Sequence, residues 1–478
     1  MAYQLNKTYL LFCDSGIGQC LSVSGGIVAN HQAVCIGTKD GGAAQSRTIK
    51  QFGSNYKIVS NLNQNYALNY YGSSGQDSNC DIYPQSGNDT NSSIVLEPIS
   101  TGVYRIKLKN YNLYLTIDDN ATKVSWETPV SMGSDYQELR TQEWRIVDPA
   151  EKGIRAPFIY AGFHRSGEEY TYTDAQISGL NNATEFVICS GSFENYFTED
   201  GEPNVKEHET KGYIQQYVEK AADMAQCLYT KYHKQVWIGT PVVGKNVTSK
   251  AAFAEVGRRM TYFIDNITTQ FGIIGLDFNT VVKGIYMSDE SVIDEFTASS
   301  EVADSPQISM FQTVSNYAAK KGKKMLWSPH WGPVNLPRAA CVIHRTNIFD
   351  YALIQPGYYF NATGADLTCE SVRTAIAIQR VIYQIDKQTH KVQPILHESS
   401  ITCTKTVIGC QMEIDSNYNK DSAFKARYKV YTDVFDQSAG AYDKYNANFG
   451  FYFGCPEFDC TDDRDYNAAK AMVNDFFG

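Results

Sequence analysis

Long apolar runs and surplus positive charge are both scarce in this sequence, and each shortage removes a class of function. No stretch of its 478 residues approaches the roughly 20 consecutive apolar residues that a membrane-crossing helix needs. The early run TYLLF at 8–12 is shorter than the ~7–15-residue core of a secretory leader and lacks a basic flank. The expected location is therefore intracellular or vesicular, unless a leader has been removed. Lys and Arg number 42 against 52 Asp and Glu, a formal charge of −10. Nucleic-acid binders need basic stripes that release counterions, and anionic membranes attract polybasic segments, so neither partner is expected. Neutral ligands such as sugars fit that balance.

Paired metal and redox motifs are also missing. The 12 cysteines include no Cys-x-x-Cys pair, and the nearest spacings, Cys403/Cys410 and Cys455/Cys460, match neither a zinc site nor a thioredoxin motif. Free thiols and a few disulfides both remain open, and no metal or cofactor is assigned. No GxGxxG or GxxxxGK[ST] follows an early strand pattern, and no GxSxG is present. Dinucleotide, nucleoside-triphosphate and serine-hydrolase chemistry therefore lose their supports. The sequons at Asn88, Asn120, Asn246 and Asn361 matter only to a chain that enters the secretory pathway.

What is present begins with a repeat. Leu21, Leu68 and Leu115 recur at a spacing of about 47 residues. Tyr9, Tyr56 and Tyr104 keep nearly the same period, as do Ile49, Leu96 and Trp144. Short alternating runs such as YRIKL lie between turn-rich stretches such as GSSGQDSN, with almost no helical periodicity. Three all-β units, each too small to bury its own apolar face, predict a threefold β-trefoil over residues 1–150.

The segments QEWRI (142–146) and GQCLSVSGG resemble the Gln-x-Trp and G-x-C-L-x-V signatures of ricin-type lectin domains, over roughly residues 4–150. The first two repeats lack the Gln-x-Trp. The resemblance implies sugar binding through an aspartate after the repeat leucine, a stacking aromatic and an amide. Here Ser22, Asn69 and Thr116 follow the leucines, so no repeat has that acid. Asn69 with Tyr70 and Tyr71 is the remaining candidate, an amide beside aromatic platforms; a structural or protein-docking trefoil is the competing reading.

Residues 147–157 form a polar, Pro-containing boundary, after which strand-like runs alternate with helical patterns. Strands are expected at 158–163, 185–192, 235–242, 282–288, 323–329, 350–360, 406–415 and 449–454. Eight β-α units over 151–478 predict a TIM (β/α)8 barrel, whose active site lies at the C-terminal ends of its strands. A doubly wound sheet is the alternative.

Those ends carry the chemistry. The fourth strand finishes in Asp289 and Glu290, and the fifth runs into Trp327, His330 and Trp331. The sixth reaches Gln355, Tyr358 and Tyr359, and the first leads to His164 and Arg165. On the seventh, Gln411, Glu413 and Asp415 share one face by the two-residue strand period. Acids ringed by aromatics suit a carbohydrate, since rings stack on pyranose C–H faces and paired carboxyls supply acid/base or nucleophilic groups. Glu290 and Glu413 are the expected catalytic pair. Trp327, His330, Trp331, Gln355, Tyr358, Tyr359 and Asp415 are expected to bind substrate.

GIYMSDE, LWSPHW, LIQPGYYF and GCQMEID, in that order over about 155–460, also resemble an uncharacterised bacterial family of glycosidase-like barrels. That family shows GFYW-x-x-E, LW-x-P, LQPNYFF and G-x-E-x-E-x-D at these places. Gln411 stands where its first strand-seven glutamate would be. The run ILHESS (395–400) offers His397 and Glu398 as rivals if QPILHESS is the true seventh strand.

The leading expectation is a carbohydrate-active enzyme of the glycoside hydrolase type. Two alternatives compete with it: an inactive barrel serving as a structural, coat or storage protein that self-associates through its 33 tyrosines, and a glycan-binding adhesin.

Overall fold

The computed structural model of the chain describes residues 3–13, 19–38, 42–53, 55–72, 78–87, 89–100, 103–118, 123–130, 141–149, 153–162, 169–190, 196–203, 213–244, 246–292, 304–330, 335–355, 357–361, 382–385, 392–396, 406–415, 417–435, 448–452, 470 and 474. It divides into two compact units, Met1–Gly153 with Asp433–Ala447, and Ile154–Thr432 with Asn448–Gly478.

The first unit is all β. Its strands are β1 (Thr8–Cys13), β2 (Gln19–Val23), β3 (Gln32–Thr38), β4 (Arg47–Phe52), β5 (Asn55–Ser60), β6 (Tyr66–Tyr70), β7 (Ser78–Pro84), β8 (Ile94–Ser100), β9 (Val103–Leu108), β10 (Tyr114–Ile117), β11 (Val124–Glu127) and β12 (Glu143–Val147). Antiparallel pairings close a ring β1-β4-β5-β8-β9-β12. The hairpins β2-β3, β6-β7 and β10-β11 join through β3-β7 and β7-β11.

The period seen in the sequence is the period of this scheme. Leu21, Leu68 and Leu115 occupy β2, β6 and β10 and are wholly buried, and Ile49, Leu96 and Trp144 sit on β4, β8 and β12. Together they fill one apolar core, compatible with the threefold trefoil that the repeats predict. The Gln-x-Trp pair closes the last repeat: the buried Gln142 amide donates to Thr116 Oγ1 (3.1 Å) and the Thr128 carbonyl (2.8 Å), and Trp144 Nε1 donates to the Leu115 carbonyl (2.8 Å). Both of these buried side chains thus find partners within the repeat.

The second unit holds a closed barrel of eight parallel strands. They are β13 (Arg155–Ala161), β14 (Glu185–Ser190), β15 (Gln235–Gly239), β16 (Val282–Met287), β17 (Lys324–Trp327), β18 (Tyr351–Ile354), β21 (Val407–Glu413) and β22 (Phe449–Tyr452). Between β18 and β21, β19 (Ile382–Ile385) and β20 (Val392–Leu396) pair antiparallel as a separate hairpin. The described part of QPILHESS, residues 393–396, therefore belongs to this hairpin, and the strand carrying Glu413 is the seventh of the barrel. His397 and Glu398 lie outside the described residues.

The arrangement is compatible with a (β/α)8 barrel. Phe158, Val187, Cys189, Trp237, Tyr286, Leu326 and Leu353 belong to one buried cluster among the strands. A side chain at Gly284 would put its Cβ 2.2 Å from Trp237 Cζ3 and 2.4 Å from the Lys324 carbonyl, so this position has room only for hydrogen. Helix Lys250–Ile273 starts where Ser249 Oγ accepts from Ala252 N (3.1 Å), and buries Phe253, Val256, Met260, Phe263, Ile264, Ile267 and Phe271 at three- and four-residue spacings. Helix Pro306–Lys320 starts the same way at Ser305, with proline in its first turn.

Candidate functional site

At the C-terminal end of β16 the chain leaves the barrel wall, and Asp289 and Glu290 follow directly. Glu290 is fixed through its backbone, whose carbonyl accepts from His330 N (2.8 Å) and from Asn335 Nδ2 (3.2 Å). Glu290 is an exposed residue at the strand end. Desolvation there raises its pKa above the ordinary glutamate value, and a hydrogen bond with Gln355 offsets part of the rise.

The surroundings of that carboxyl come from several strands. Tyr160 on β13, Cys189 on β14 and Tyr286 on β16 all titrate higher than usual, first because they are buried and then through neighbouring groups that include the Glu290 charge. Tyr160 also shares a hydrogen bond with Tyr452 of β22. Gln355 is buried and donates from Nε2 to the Ser328 carbonyl (2.8 Å). The half-buried His330 has its imidazole pKa lowered by burial, which favours the neutral ring at pH 7.

Asp289 behaves differently from its neighbour. Oδ1 accepts from Val243 N at 3.2 Å, whereas Oδ2 is buried with no hydrogen-bond partner among the described residues. Burial pushes its carboxyl up to about 7; the Val243 N–H opposes this and the Glu290 charge adds to it. The Asp289 carbonyl accepts from Trp327 Nε1 at 2.6 Å.

On β21, Gln411 and Glu413 are buried side chains. Gln411 Oε1 accepts from the Ser328 hydroxyl. Glu413 Oε1 accepts from Gly357 N at 3.0 Å, which ties it to the turn after β18.

Three expected substrate contacts turn out to be internal. Trp327 is wholly buried: its ring stacks on Phe349 with centroids 4.8 Å apart and packs on Phe311, so neither face is open to a ligand. Adjacent strand residues point to opposite faces, and Leu326 holds the place in the strand-lined cluster. Tyr359 is likewise covered, by Phe360 and Phe424, and donates its hydroxyl to Asp415 Oδ1 (2.8 Å). Asp415 in turn accepts from Asn417 N (2.9 Å) and Asn417 Nδ2 (2.8 Å), which makes it a support for the next turn. The side chain of Tyr358, and Trp331, His164 and Arg165, lie outside the described residues.

The second repeat of the first unit holds another polar cluster. Asn69 is buried and donates from Nδ2 to Asp81 Oδ1 (2.8 Å), while Asp81 Oδ2 meets His31 Nδ1 at 2.7 Å. Tyr70 is buried and packs against Tyr111, so it is not the platform expected; the exposed ring is Tyr71, at 60%. Burial raises the Asp81 pKa, opposed by its bonds to Asn69 and His31.

Sequence reasoning missed Asp81, because it sought an acid beside the repeat leucine. The acid lies across the hairpin, where the β6-β7 register pairs Asn69 with Asp81. It also missed Tyr160, Cys189, Tyr286 and Tyr452, whose signal was their place late in strands that share one end. Among the described residues, no group of three or more His, Cys, Asp or Glu could hold a metal ion.

The chain is similar to one family model, described as a domain of unknown function (DUF4855), over residues 228–386. That stretch contains Glu290, His330 and Gln355. No curated protein matches the chain. Among solved structures, the designed threefold protein ThreeFoil is 22% identical over 30% of this chain and 98% of its own, with a TM-score of 0.26. The Macrolepiota procera ricin B-like lectin in complex with lactose is 15% identical over 31% of this chain and 100% of its own, with a TM-score of 0.25. An exo-β-1,3-galactanase from Clostridium thermocellum is 21% identical over 30% of this chain and 31% of its own, again with a TM-score of 0.25.

Proposed function

We propose that the chain is a carbohydrate-active protein in which a glycoside hydrolase-like barrel is joined to a lectin-like trefoil. The observation that carries the reading is Glu290: an exposed acid at a barrel strand end, its backbone carbonyl held by His330 and Asn335, its carboxyl raised in pKa by desolvation and hydrogen-bonded with Gln355. A general acid must hold its proton near neutral pH, and such surroundings favour that. Glu290 would protonate the leaving glycosidic oxygen. Glu413, its Oε1 held by the Gly357 N–H, would act as nucleophile or second base. Retention calls for carboxyls about 5–5.5 Å apart and inversion for ~6.5–9.5 Å. The Asn69–Asp81 cluster would hold sugar hydroxyls on the trefoil.

The test is hydrolysis of a panel of aryl glycosides and oligosaccharides of both anomeric configurations. Glu290→Gln and Glu413→Gln should each lower turnover by about 10²–10⁴-fold on any sugar the wild-type chain cleaves. Undiminished hydrolysis in either variant would remove that residue from the mechanism.

One observation favours a second reading, a barrel without chemistry that assembles. Gln411 cannot ionise, and its bond to Ser328 joins side chains within the chain itself. On that reading no aryl glycoside is cleaved, and sedimentation shows self-association at low protein concentration.

A further inference from the structure

His31 makes the contacts that a bound sugar would need. It lies just before β3, and its backbone N–H donates to the Ile82 carbonyl (3.1 Å), where β3 and β7 run side by side. Its φ of 60° is left-handed, a conformation that most side chains avoid. The imidazole stacks on Tyr83, with centroids 4.5 Å apart and 27° between planes, and meets the exposed Tyr71 at 4.1 Å. Its Nδ1 is 2.7 Å from Asp81 Oδ2. A flat ring, aromatic faces beside it and a carboxylate at its edge are also the elements of pyranose recognition.

The two oxygens of Asp81 divide the work. Oδ1 is committed to the buried Asn69 amide. Among the described residues Oδ2 is held by His31, and the His31 side chain is 38% exposed while that of Asp81 is 4%. The backbone of His31 is anchored, but its side chain can rotate into water. That rotation would bare the Tyr83 face and free a desolvated carboxylate oxygen for sugar hydroxyls, whose hydrogen bonds to a charge are the stronger kind.

We propose that His31 is a built-in occupant of a pyranose subsite on the second repeat, and that a neutral glycan binds there by displacing the imidazole from Tyr83, Tyr71 and Asp81. The inference rests on the carbohydrate-binding reading of the first unit, and adds that the unliganded subsite is already filled by the chain itself. A partly exposed histidine on a buried carboxylate and two ring contacts together set a displacement cost that is modest but measurable.

The test uses the full chain and a printed array of neutral oligosaccharides ending in galactose, glucose or N-acetylglucosamine, followed by calorimetric titration of the best glycan. His31→Asn keeps a residue that tolerates the left-handed backbone and removes the ring. It should bind that glycan roughly five- to thirty-fold more tightly than wild type. The double variant His31→Asn/Asp81→Asn should lose the gain while melting as a folded protein. If wild type binds and His31→Asn binds equally or more weakly, the occupant role is overturned and the carbohydrate reading stands. If neither chain binds any printed glycan, the subsite falls along with its occupant.

Discussion

The two units bury acids in opposite ways. In the first, Asp81 has both carboxylate oxygens engaged, by Asn69 and by His31. In the second, Asp289 keeps one oxygen buried without a partner among the described residues, beside a glutamate. Burial raises both carboxyls; bonds from Asn69 and His31 oppose it at Asp81, whereas at Asp289 the single bond from the Val243 N–H opposes it and the Glu290 charge adds to it. Burial that leaves an oxygen short of donors yields a group that changes charge near neutral pH, a property of reactive sites.

Asp289 offers the largest break in that comparison. Its folded pKa, about 7, lies above the ordinary 3.8. The native chain therefore binds more protons than the unfolded chain between those values. The contribution to stability is full below about pH 4 and is lost as pH rises through about 7. Asp289→Asn should flatten the slope of urea stability over that window and gain on the order of 3 kcal/mol relative to wild type at pH 8. An unchanged slope would show that the carboxyl finds donors in solution.

Trp327→Phe should cost about 1–2 kcal/mol, because the Asp289 carbonyl loses its indole donor within a packed layer. No loss in a denaturant titration would place the indole outside that layer. Asp81→Asn should alter the pH slope of stability in the same sense as Asp289→Asn, but less, since His31 and Asn69 already stabilise the charge. A slope change equal to that at Asp289 would erase the distinction between the units. Tyr71→Ala should leave the melting temperature almost unmoved, within about 0.5 kcal/mol of stability, because its ring is exposed. It should still weaken any glycan binding, which sharpens the separation of surface recognition from core support.

The architecture was legible where physics repeats itself. Leu21, Leu68 and Leu115 read as one period because they fill equivalent places in a common core. The barrel strands read as short apolar runs because neighbours cover both faces of a parallel sheet. The strand tip at Glu290 followed from the abrupt change from Met287 to Ser288. Side-chain direction was harder to read. Trp327 and Tyr359 looked like platforms from their composition, yet packing against Phe349 and Phe424 decides their roles. Asp81 was hidden because cross-strand register, which no local motif records, brings it to Asn69.

The Trp327 indole that holds the Asp289 carbonyl also lies against Phe311, on helix Pro306–Lys320. It works as a tie-rod between the outer layer and the strand tip. A shift of that helix by a fraction of an ångström would be transmitted through a single rigid bicyclic ring to the peptide that carries Glu290. The direction in which the chain leaves the strand is thus set from behind, by a ring buried between Phe311 and Phe349.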